Sequence, residues 1–169
     1  MTTYYHVSQI EHPIGTTLRA GQRPVPLAAY RSNWIDATFD AGAPVSLPQR
    51  QSCLFAFDRL APCIAFAPSG CPTFFYEVEL GNPVHVAPWE LTAFALFKGS
   101  RATCVPSVIS EYWSPQHSWA VYEFLSDSMT IVADVSAQVG PPSIQNATIK
   151  GGVIYALGID RAQCNGLWP

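Results

Sequence analysis

An α+β domain with a mixed or antiparallel sheet is the fold class this sequence predicts, and three observations predict it. Short apolar runs of strand length recur along the chain, and some are joined by turns brief enough for hairpins. Segments with three- and four-residue apolar spacing stand between others, as helices would. The 15 prolines and 11 glycines are spread throughout, so they cut the chain into many short elements without marking a linker. A doubly wound sheet would need regular strand–helix alternation, which is missing. We expect one domain over residues 1–169, because this length suits a single core and is short for two.

The elements follow in order. Tyr4–Ser8 combines aromatic and β-branched residues and reads as the first strand, and a turn-rich stretch with Gly15 and Gly21 follows it. Over residues 27–39, Leu27, Tyr30, Trp34 and Thr38 mark one apolar face of a helix that opens after Pro26. Residues 53–57 read as a buried strand, with Asp58 as N-cap of a short helix through Phe66 that admits Pro62 in its first turns. Phe74–Leu80 is the clearest strand, with Phe74, Tyr76, Val78 and Leu80 on the face expected to be buried, and the Gly81-Asn82-Pro83 turn ends it. Residues 84–86 continue the sheet, while 88–97 and 106–113 read as helices, each opened by a proline. Residues 119–125 and 129–135 form a hairpin across Ser126-Asp127-Ser128, and 153–157 read as a further strand.

Hydrophobic residues make up 49% of the chain and charged residues only 12%, so a large core is expected beneath a surface sparse in charge. Such a surface leaves room for an apolar patch covered by a protein partner or inhibitor. A formal net charge of −3 provides no basic field for a polyanion. The five cysteines are odd in number and lack a CxxC pair, which points to buried thiols instead of a disulfide scaffold or zinc site. The opening Met-Thr-Thr-Tyr-Tyr-His has no leader-like pattern, and no apolar run reaches the roughly 18 residues of a membrane span. The expectation is a soluble protein of the cytoplasm, or one delivered into a target cell without a classical signal, and no membrane partner.

No GxGxxG, GxxxxGK[ST], GxSxG or HExxH motif occurs, so the common phosphate loops, the serine-hydrolase elbow and the usual zinc spacing are absent. Among four histidines His6 stands out, because it lies on the first strand where an imidazole can bond a ligand hydroxyl; a histidine satisfied within the sheet is the plain alternative. His12, His85 and His117 read as surface histidines. Glu123 is a lone acid in an aromatic strand, and burying it without a partner is costly, so it either faces solvent or serves a site. Glu77 and Glu79 read as solvent-facing.

With His6 on the first strand, the unit Cys53-Leu54-Phe55-Ala56-Phe57-Asp58, the strand Phe75-Tyr76-Glu77-Val78-Glu79 and the late Tyr122-Glu123-Phe124-Leu125 leading to Ile131-Val132-Ala133-Asp134-Val135, the chain resembles the ADP-ribosyltransferase superfamily. The resemblance is to its His-Tyr-Glu branch, which includes diphtheria-toxin-like and rifamycin-modifying enzymes, and it covers about residues 4–135; residues 136–169 stand as a C-terminal extension. It implies split mixed or antiparallel sheets with short helices around an NAD cleft, and a toxin or effector that uses NAD as substrate and needs no metal. Carried over by position, His6 would bond a ribose hydroxyl of NAD and the Val7 backbone would hold the nicotinamide amide, although the family often has Gly there. Phe55 would supply the stacking ring in place of the usual Tyr, with Phe57 as alternative. Glu123 would stabilise the positive charge developing on the ribose. The implied reaction moves ADP-ribose to a macromolecular acceptor, protein or nucleic acid, and releases nicotinamide. NAD glycohydrolysis and a catalytically silent binding module of the same fold are the alternatives, the latter favoured by Phe for Tyr and Val for Gly.

Overall fold

The computed structural model describes residues 2–21, 33–67, 72–98 and 106–139. Seven strands make one sheet: β1 (Tyr4–Ser8), β2 (Thr17–Arg19), β3 (Leu54–Phe57), β4 (Phe74–Leu80), β5 (Pro83–Pro88), β6 (Tyr122–Ser126) and β7 (Ser128–Asp134). They lie in the order β2-β7-β4-β1-β3-β6-β5, and every neighbouring pair is antiparallel. Five helices accompany them among the described residues: α1 (Asn33–Asp40), α2 (Leu60–Phe66), α3 (Trp89–Lys98), α4 (Pro106–Trp113) and α5 (Ser136–Val139), together with a 3₁₀ turn at Arg50–Ser52. None of these helices is long and apolar enough to cross a membrane.

The sheet is uneven along its width. Between β1 and β4 five residues pair in register, from Tyr4↔Val78 to Ser8↔Phe74, and β3 and β6 pair over four. Between β1 and β3 the register holds only at Tyr5↔Phe57. The β5-β6-β3 and β1-β4-β7-β2 halves are thus joined at the centre of the sheet by one residue pair and whatever side chains reinforce it.

Strand alternation sorts the core. On one face Phe55 and Leu125 pack with Ile35, Phe39, Leu91 and Tyr112 from the helices, and Phe57, Phe75 and Val121 pack with Trp89, Cys63 and Val135. On the other face Leu54, Ala56, Tyr76, Val78, Met129 and Ile131 form a third cluster. Tyr76 and Val78 are fully buried in it while Phe74 and Leu80 are half-buried, as the alternation of β4 predicts. Phe75, on the opposite face, is buried as well, because α5 and the loop before it close over that side: Val135 N–H donates to Phe75 O, and Ser136 Oγ accepts from Phe75 N–H.

Several boundaries differ from the sequence expectation. β2 falls within the stretch expected to be turns, where three residues are recruited by β7 through the Thr17↔Thr130 register. Asp58 does not cap α2; Arg59 holds the cap position with no side-chain bond. β5 extends on both sides of 84–86, α3 starts at Trp89, β6 starts at Tyr122, and α5 was not expected. Of the helix expected over 27–39, the described part is Asn33–Asp40. The strand expected over 153–157 lies outside the described residues. Cys53 and Cys63 are buried.

Candidate functional site

A buried charged cluster forms where α1, the 3₁₀ turn, α4 and β6 meet. Arg50 is 3% exposed, yet its guanidinium is surrounded by partners. Nη1 donates to Glu123 Oε1 at 2.5 Å and to the Tyr112 hydroxyl at 2.8 Å. The Tyr112 hydroxyl in turn donates to the same Oε1 at 2.5 Å. Arg50 Nε stands 2.7 Å from Asp36 Oδ1 as an ion pair, though outside hydrogen-bond geometry. The turn itself is pinned by Asp40, whose carboxylate accepts the N–H groups of Arg50 at 2.5 Å and Gln51 at 3.1 Å. The guanidinium carbon lies 4.5 Å above the centre of the Phe55 ring, within cation–π range.

One guanidinium therefore contacts two carboxylates, Glu123 and Asp36, with a third, Asp40, on the backbone of its turn, and electrostatics follows from that count. Burial works against the charged form of Arg50, but Glu123, Tyr112, Asp36 and Asp40 outweigh it and raise its pKa. For Glu123 burial dominates and raises the pKa. The charge of Arg50 and the Tyr112 hydroxyl bond pull the other way, and Asp36 adds to the rise. Burial also pushes the Tyr112 phenol up. A charge-assisted network of this kind is strong when complete and costly when one member is removed.

The expected site residues occupy distinct places around this cluster. Glu123 is fully buried, opposite Phe57 on β3 and Ala87 on β5. Its Oε1 takes both donors, while Oε2 is buried without a hydrogen-bond partner. Phe55 is the wall against which Arg50 stacks, and its ring also lies 6.1 Å from Phe66. Phe57 is fully buried, edge-on to Trp89 at 5.7 Å and tilted against Phe66 at 5.7 Å. Val7 packs with the cluster around Phe57, and its backbone is registered against Phe75. His6 is half-buried, with Nδ1 at 2.7 Å from Phe55 O. A carbonyl only accepts, so Nδ1 carries the proton.

His6 and Phe55 are thus brought together, and so are Phe55 and Glu123 through Arg50. His6 and Glu123 are not. Tyr5, Phe57 and Glu123 stand in one cross-strand row and share a face, so His6, the next residue along β1, projects from the other. Its bond to Phe55 O spans the gap where β1 and β3 have ceased to pair.

Arg50, Tyr112 and Asp36 carry no sequence signal that marks them as a site. Arg50 stands in a polar, proline-flanked stretch, and Asp36 and Tyr112 read as ordinary members of helices. The available clue was Glu123 itself, since a buried acid needs a cation. Elsewhere, His85 reaches the Tyr112 carbonyl at 3.4 Å and stacks near Trp113. His12 meets Ser8 Oγ at 3.1 Å, and its backbone N–H donates to the Tyr76 hydroxyl. An apolar groove of about 450 Å³ runs between the residues after α1 and the helix α4, lined by Ala41, Gly42, Pro44, Ile109 and Trp113. It shares no residue with the charged cluster.

No protein-family model matches the chain, and no curated protein matches it.

Proposed function

We propose that this chain is an ADP-ribosyltransferase that moves ADP-ribose from NAD to a macromolecular acceptor and releases nicotinamide. The reading rests on the sequence resemblance, and one structural observation supports it best: the strands that bear His6, Phe55 and Glu123 are immediate neighbours in the sheet, β1-β3-β6. The single pairing Tyr5↔Phe57 between β1 and β3 is what a sheet splitting around a cleft would need. Phe55 already carries a planar, delocalised cation on its face, which is the chemical character of the nicotinamide ring of NAD. In this reading Glu123 offers a fixed negative charge to the ribose carbon as the glycosidic bond breaks; His6, which projects from the opposite face, would reach a substrate hydroxyl only across the gap between β1 and β3.

A second reading has its own observation. Glu123 is fully buried and its Oε1 is saturated by Arg50 and Tyr112, an arrangement equally suited to a structural ion cluster in a catalytically silent binding module. Under the transferase reading the guanidinium must yield part of the Phe55 face before a nicotinamide can stack there.

Nicotinamide release from NAD by the full chain, measured with and without a lysate as acceptor source, separates the readings. Release that depends on Glu123 supports the enzyme, and release stimulated by lysate supports transfer over glycohydrolysis. Absence of release above background in both conditions favours the silent module.

A further inference from the structure

Glu123 presents two oxygens in unequal states. Oε1 is held by Arg50 Nη1 and by the Tyr112 hydroxyl, both at 2.5 Å. Oε2 is equally buried and has no hydrogen-bond partner. An orphaned carboxylate oxygen in an interior is costly and calls for an explanation.

We propose that Arg50 and Tyr112 are a positioning pair that fixes the Glu123 carboxylate through Oε1 and so sets the direction of Oε2. Any role of Oε2 toward the ribose of NAD rests on the transferase reading above; the positioning itself does not. Two donors on one oxygen fix the carboxylate plane, since rotation about the last side-chain bond would break both bonds. The donors are fixed in turn: Arg50 by Asp36 and by the Asp40 grip on its turn, Tyr112 by its place in α4 against Phe39 at 4.5 Å. A carboxylate so held has little freedom to lose while both donors stay in place.

Among the described residues, Arg50 on the turn, Tyr112 on α4 and Asp36 on α1 act on Glu123, and His85 of β5 stands on the same face, its ring 6.3 Å from that of Tyr112. The cross-strand neighbours of Glu123, Phe57 and Ala87, are apolar. Both Arg50 and Tyr112 favour the ionised carboxylate against the effect of burial, so their removal should make the acid harder to ionise.

The test follows the Glu123 side-chain carboxyl by carbon NMR in the full chain, with the resonance assigned by its loss in Glu123→Gln. Tyr112→Phe and Arg50→Gln should each move the titration midpoint upward by about one pH unit or more. In the nicotinamide-release assay the acid limb of the rate profile should move by the same amount, with kcat affected more than KM. If Arg50→Gln does not fold, Tyr112→Phe decides alone, because Phe keeps the ring in place. A folded Tyr112→Phe protein with an unmoved carboxyl midpoint overturns the positioning proposal. Shifted midpoints in a protein that releases no nicotinamide uphold the positioning pair and overturn the transferase reading.

Discussion

Arg50 and Glu123, 73 residues apart in the chain, meet at 2.5 Å in the protein interior, and this contact ties the turn after α1 to β6 of the sheet. Removing one partner of a buried pair leaves the other uncompensated, at a cost of about 3–5 kcal/mol. A neutral replacement of Glu123 that keeps a hydrogen-bonding oxygen should soften that loss. Glu123→Gln should therefore fold and bind NAD, while nicotinamide release falls by about 10²–10³. Calorimetric titration with NAD and a release assay on the same preparation check both halves.

Phe57 joins the two halves of the sheet through its single register with Tyr5 and its pairing with Glu123, and it is fully buried against Trp89 and Phe66. Phe57→Ala should lower the unfolding free energy by about 3–5 kcal/mol. Val86→Ala, at an exposed position of β5, should stay within about 0.5 kcal/mol. Urea unfolding of the two variants side by side gives the comparison.

His6 spans the gap between β1 and β3 through its bond to Phe55 O. His6→Ala should cost about 0.5–1.5 kcal/mol of stability for that bond. If the imidazole also meets a ribose hydroxyl, NAD affinity should fall together with the rate, in contrast to Glu123→Gln. Unchanged NAD affinity in a folded His6→Ala protein would remove His6 from the ligand site.

Glu111 gathers the N–H groups of Gln116 and His117 and the indole N–H of Trp119 on one oxygen, with His117 Nδ1 at 3.1 Å. Burial acts to raise its pKa, but the bonds from Trp119, His117 and Gln116 prevail and hold it below the ordinary carboxylate value. A depressed folded pKa stabilises the fold above the unfolded value of about 4.3, and this contribution is lost as pH falls through the folded pKa. Unfolding followed between neutral pH and pH 3 should show wild type losing more stability on acidification than Glu111→Gln. Parallel curves would show that the staple does not depend on the charge.

Local chemistry determined much of the element map. The alternation in Phe74–Leu80, the proline openings of the helices after residues 88 and 106, and the Ser126–Ser128 reversal are short-range features, so the strands and helices near them are legible from the sequence. Apolar patterning likewise implied a deep core and an α+β class. β2 escaped notice because three residues pair only when β7 is already there to accept them. For Glu123 the sequence posed a question, a lone acid among aromatics, and left open whether water or a site would answer it. Tertiary structure decided that the answer is Arg50, brought from a segment with no local pattern, and it decided that His6 and Glu123 project from opposite faces. Both outcomes depend on register and on long-range charge pairing, in which each partner acquires its meaning only from the position of the other.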